Sequence, residues 1–141
     1  MSVMTFTLTV SAQMKVSDTP KTDKVGEYKQ LGKSYAEITK SGNTCTFIYR
    51  DDEFSTIDTY RSFTFSYSDL DTLYKMFTDF EGIEKDTEKM VDLEDGGRLY
   101  FRYKKTLGKM YADVIHINSA TVSGKIRYMT EKQLKELFGK K

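Results

Sequence analysis

The chain has 141 residues, with 22 basic against 21 acidic side chains and a net charge of +1. That length suits one domain with a core of its own, and the charge balance argues against a strong electrostatic footprint for nucleic acid or an anionic membrane. Ten Tyr and nine Phe against one Pro exclude a disordered chain and suit a sheet-rich one. No apolar run approaches the ~18 residues of a membrane span, and the single Cys45 forbids an intrachain disulfide without fixing the compartment.

Residues 1–12 admit two readings. Val10 and Ala12 are small residues at the positions a signal peptidase reads, so the stretch suits the latter half of a signal peptide. Met4, Phe6, Leu8 and Val10 also alternate with Thr5, Thr7 and Thr9, as in an amphipathic strand. Residues 14–33 are polar, with Ser17-Asp18-Thr19-Pro20, and read as an arm rather than a packed element. Order is expected from residue 34 onward, as a single domain over 34–141.

A short strand is expected over 35–40. Ser41-Gly42-Asn43 then turns the chain into a strand over 44–50, with Cys45, Phe47 and Tyr49 on one face. Asp51-Asp52-Glu53 reads as a solvated loop. The next strand covers 59–67, with Phe63, Phe65 and Tyr67 on one side. Ser68 or Asp69 caps a helix near 69–81, whose apolar stripe is Leu70, Leu73, Phe77 and Phe80. Gly82 ends it. Strands follow over 89–93, 98–105, 109–118 and 122–128, separated by Asp95-Gly96-Gly97 and Leu107-Gly108. Thr130 and Gln133 form a capping-box pattern, opening a helix over 130–138 with Leu134, Leu137 and Phe138 on one stripe.

The two helix openings repeat. Residues 67–77 and 128–138 share a Tyr followed by a capping residue and the same leucine and phenylalanine spacing. Upstream, residues 42–50 and 96–104 share a Gly-containing turn followed by an alternating strand. The fold class is therefore α+β: two tandem strand-rich units, about 35–82 and 88–139, each closed by a helix, with mainly antiparallel sheet and both helices packed on it. The first unit needs a fourth strand, supplied by the N-terminal segment or by residues 54–57.

No constellation names a reaction. His116 is the sole histidine and lies in an alternating run, where a structural role is expected; one His and one Cys do not make a zinc site. Cys45 reads as a small buried hydrophobe. Glu94-Asp95 and the 51–53 cluster lack the spacing of a calcium loop. No cofactor or metal is expected. The strand tyrosines Tyr49, Tyr60, Tyr67, Tyr100, Tyr103, Tyr111 and Tyr128 fit β-propensity with partial burial, and they also fit stacking on sugars or bases. Arg98, Arg102, Lys104 and Lys105 are the only local basic concentration. Tyr100, Tyr103, Arg98 and Arg102 are therefore the candidate binding residues.

Two resemblances bear on function. The Ser11-Ala12-Gln13 junction, residues 32–38 and the closing Leu134-Lys135-Glu136-Leu137-Phe138-Gly139-Lys140-Lys141 together resemble small exported proteins of Bacteroidetes-type bacteria. That likeness covers most of the chain and implies a secreted or periplasmic bacterial protein with no assigned activity, a cytoplasmic one being the alternative. A strand-rich unit closed by a helix, used twice and entered in the first copy through Ser66-Tyr67-Ser68-Asp69-Leu70, is similar to the Whirly-type single-stranded DNA-binding fold. The balanced charge departs from that pattern. The resulting expectation is a non-enzymatic exported binding module for a protein or glycan partner, with a single-stranded nucleic-acid binder as the alternative. The oligomeric state is not legible.

Overall fold

A computed structural model describes residues 16, 21–53 and 57–140. The expectations for residues 1–12, and for a strand through Phe54, lie outside the described residues. Among the described residues no helix is long and apolar enough to cross a membrane.

The first unit is an antiparallel meander of β1 (Asp23–Gln30), β2 (Lys33–Ser41), β3 (Thr44–Arg50) and β4 (Tyr60–Ser66). A short 3-10 turn, Tyr67–Asp69, leads into α1 (Leu70–Thr78). The second unit repeats the plan with β5 (Glu88–Asp92), β6 (Arg98–Thr106), β7 (Lys109–Ile117), β8 (Ser123–Ile126) and α2 (Glu131–Leu137). The α+β reading with two tandem strand–helix units holds. Period-2 alternation explains the strands: Cys45, Phe47 and Tyr49 of β3, and Leu99, Phe101 and Tyr103 of β6, are buried while the residues between them are not. The two helices bury the expected Leu73 and Phe77, and Leu134 and Phe138. Thr130 accepts from Gln133 N at 3.3 Å, and Gln133 Oε1 accepts from Thr130 N at 2.9 Å, completing the expected capping box.

The helix expected over 69–81 ends at Thr78, and Asp69 at its N-cap makes no side-chain cap bond; two strand readings also change. The fourth strand of the first unit is β1, drawn from the second half of the stretch read as an arm over 14–33. As an edge strand it buries little besides Tyr28, and Lys24, Glu27 and Lys29 give it the composition of a linker. The domain therefore extends at least to Asp23. The pairing of 42–50 with 96–104 is also shifted by one strand. The first of these segments is β3, third in its sheet; the second is β6, second in its sheet. The shared pattern reflects the grammar of hairpins rather than equivalent places.

Each helix packs on the other unit's sheet. α1 lies against β7, and α2 lies against β1 and β2. The Tyr103 hydroxyl donates to Met76 O of α1 at 3.0 Å. Gly26 of β1 meets the C-terminal turn of α2 so closely that a Cβ there would lie 2.1 Å from Glu136 O. This exchange unites the two units around one aromatic core. Phe47 stacks on Phe63 at 4.9 Å, Phe77 meets Phe101 at 5.1 Å, and Phe138 meets both Phe77 and Phe47 at 6.0 and 6.3 Å.

Candidate functional site

The sheets leave a polar seam where β3 and β4 meet β7 and β8. Asp51, read from sequence as a solvated loop residue, is fully buried there. Its Oδ1 accepts from Lys125 N at 2.9 Å and Glu53 N at 3.1 Å, and its Oδ2 accepts from Arg61 Nε at 2.8 Å. Asp52 N in turn donates to Lys125 O at 2.9 Å. Burial by itself raises the Asp51 carboxyl, but the bonds from Arg61, Lys125 and Glu53 outweigh it and hold it below the usual carboxylate value. Asp95 makes the reciprocal tie, accepting from Thr64 N of the first unit at 3.2 Å and from Gly97 N at 2.8 Å. Gly124 leaves room for this seam, since a Cβ there would fall 2.5 Å from the Tyr49 hydroxyl.

His116 belongs to the same seam. It is buried, its Nδ1 lies 2.7 Å from the Tyr49 hydroxyl, and its Nε2 has no hydrogen-bond partner among the described residues. Its ring faces Phe63 at 5.1 Å. Desolvation lowers its pKa, and Arg61 adds to that while Asp95 opposes it. The neutral form is thus the folded form. Below the ordinary value of 6.5 the unfolded chain takes up a proton that the folded chain refuses, so stability falls as pH falls from there toward the lowered folded value. We expect denaturant midpoints to decline between pH 7.5 and pH 5, a window that straddles His116's ordinary value of 6.5, and the decline to flatten in His116→Gln. An equal slope in that variant would assign the loss to other groups. Burial also raises the Cys45 thiol, which lies within the core.

The candidate residues from sequence divide between two faces. Tyr103 is 1% exposed and sits in the core against Phe80 and Phe101. It is not available to stack on a ligand: three positions from Tyr100, it points the opposite way across the pleat. Tyr100, Arg98 and Arg102 lie on the outer face of the second sheet. In register there, Met90, Tyr100, Ile115 and Lys125 form one row. On one side of it lie Glu88, Arg102 and Asp113; on the other, Asp92, Arg98, Ile117 and Ser123. Tyr100, Ile115 and Ile117 edge a shallow hollow of about 340 Å³.

Three cations of this face are engaged, while Lys125 of the central row has no ion-pair partner among the described residues. Arg98 Nε meets Asp92 at 2.8 Å, Arg102 pairs with Glu88, and Lys104 meets Asp113 at 3.2 Å. The Tyr100 hydroxyl, then Asp92, raise the Arg98 pKa further; Glu88 does the same for Arg102. The face thus has an apolar centre of Met90, Tyr100 and Ile115 flanked by matched charges, with Lys125 at its β8 edge. Of the other tyrosines, Tyr49 is spent on His116, Tyr67 lies beneath Lys40 at 3.8 Å in the 3-10 turn, and Tyr111 meets Tyr128 edge-on at 5.6 Å. Among the described residues no three His, Cys, Asp or Glu side chains gather as metal ligands would. Comparison with protein-family models, with curated proteins and with solved structures finds no match to this chain.

Proposed function

We propose that this protein is a non-enzymatic interaction module that docks a protein partner on the outer face of its second sheet. The observation that carries the reading is the row of exposed Met90 and Tyr100 and half-buried Ile115, flanked by ion pairs that satisfy one another. An apolar centre with a polar rim is the anatomy of a protein interface, and a solvent-facing Tyr is a favoured anchor. A glycan would want several flat rings; Tyr100 is the one aromatic ring in its row, beside Met90 and Ile115. A single-stranded nucleic acid would want stacking rings in series and uncommitted cations. Tyr103 faces inward, and the three rim cations have carboxylate partners, which favours protein over nucleic acid. The seam histidine and the core cysteine serve the fold, in keeping with a non-enzymatic role. Export to the periplasm or medium is part of the same proposal and rests on residues 10–13.

A photo-crosslinking residue in place of Tyr100, introduced in the full chain in the source cells, tests this reading. A control carries the same group at Thr39, on the outer face of the first sheet. The expected result is one protein adduct specific to position 100 that disappears when Ile115→Asp is added. A nucleic-acid adduct at 100, or the same adducts from both positions, would contradict it.

A further inference from the structure

β8 pairs with β7 only from Val114 to Ile117. At Arg127 the chain leaves the sheet to reach the Thr130 cap of α2. The first half of β7 therefore has no strand beside it on that flank, and the end of α1 and the start of α2 stand over the gap. The result is a cleft of about 460 Å³ on the helix-bearing side of the sheet, opposite the docking face. Its size falls within the ~300–1,000 Å³ typical of small-molecule sites. Phe77, Phe80, Met110, Ile126, Met129 and Leu134 make its walls apolar. An adjoining hollow of about 540 Å³ under the β6–β7 tip shares Met110, Tyr111 and Tyr128 with it, giving it length. The threonine hydroxyls that reach the cleft are engaged by backbone: Thr78 Oγ1 donates to Tyr74 O at 2.9 Å, and Thr130 Oγ1 accepts from Gln133 N at 3.3 Å.

The rim differs from the interior. Lys109, Arg127 and Glu131 stand on it. Glu131 faces Lys135 of its own helix at 3.8 Å. Among the described residues neither Lys109 nor Arg127 has an ion-pair partner, and Arg127 rests over the Tyr35 ring at 4.4 Å. On the docking face, by contrast, Arg98, Arg102 and Lys104 each have a carboxylate partner. Two cations without carboxylates beside an elongated apolar cleft complement a molecule with an apolar tail and an anionic head. We infer that this cleft is a binding site for an anionic amphiphile, a fatty carboxylate, with the tail along Met110 and Met129 and the head between Lys109 and Arg127. Apolar burial supplies the driving force, and the two cations select the charged head.

Calorimetric titration of the full chain with dodecanoate and with dodecanol, below their aggregation concentrations, tests the inference. The expected result is saturable dodecanoate binding at a single site, tighter than dodecanol. Ala112→Phe, which fills the cleft from its β7 floor, should abolish it. Lys109→Glu with Arg127→Glu should weaken dodecanoate about tenfold, the scale of two rim ion pairs lost and like charges gained, while leaving dodecanol nearly unchanged. These two surface substitutions keep the test open if Ala112→Phe does not fold. Absence of dodecanoate binding, equal affinity for dodecanol, or insensitivity to the charge reversals would overturn the inference.

Discussion

Replacing Asp51 with alanine is expected to lower the unfolding free energy by about 3–5 kcal/mol, the scale for removing one partner of a buried, hydrogen-bonded ion pair. The carboxylate joins three donors from three chain segments: Glu53 N, Arg61 Nε and Lys125 N. Its loss strands the Arg61 guanidinium and two backbone amides at the junction of the two sheets. Asp51→Asn keeps Oδ1 as an acceptor for the two amides but replaces the oxygen that accepts from Arg61 with an NH2, so a smaller though still clear loss is expected. The pH dependence has the same origin. Because the folded carboxyl is held below its ordinary 3.8, its contribution is complete above that pH and is lost as pH falls through the lowered value. Equilibrium urea unfolding of the three proteins at neutral pH measures the order, and a loss under 1 kcal/mol for Asp51→Ala would show that the seam does not hold the units together.

Gly26→Ala is expected to cost about 3 kcal/mol, the upper end for forcing a methyl group into a closed contact. A Cβ at this position would meet Glu136 O and Leu137 O at 2.1 and 2.3 Å, both backbone atoms that move only if α2 shifts. β1 carries a register irregularity between Lys24 and Gly26, which lets the strand follow the helix end. Gly32→Ala supplies the comparison: its site is open, and only its φ of 77° penalises a side chain, by about 1 kcal/mol. Thermal unfolding that places the two variants at equal stability would mean that α2 does not close on β1.

The parts of the fold legible in the sequence are those whose cause is local. β3 spans the expected 44–50 because Cys45, Phe47 and Tyr49 must all turn to the core. α2 opens at Thr130 because the cap and its Gln133 partner are three residues apart. β1 was not legible because an edge strand with one deeply buried side chain has no apolar period to read. Its presence does have a signal: Leu-Gly-Lys-x-Tyr-Ala occurs at 31–36 and again at 107–112. Both copies make a tight turn with positive φ at leucine and glycine, 54° and 77° in the first, 51° and 78° in the second. Asp51 was misread because its burial depends on Lys125, 74 residues away. Three of the four candidate residues, Tyr100, Arg98 and Arg102, share a face by even spacing, and the odd step to Tyr103 places it in the core. The cleft beside β7 was not legible, since it exists only because β8 is four residues long and both helices cross to the opposite sheet.

Protein docking on the second sheet rests on Arg98, Arg102 and Lys104 being held by carboxylates, and fluorescence anisotropy with a single-stranded oligonucleotide tests this most directly. Phosphate binding requires cations free to replace counterions. With Arg98, Arg102 and Lys104 held by Asp92, Glu88 and Asp113, no binding is expected near physiological salt. Tight binding that weakens steeply as salt rises, and that disappears when Arg98, Arg102, Lys104 and Lys105 are replaced together, would contradict the account and turn this face into a nucleic-acid surface with Tyr100 as its stacking ring.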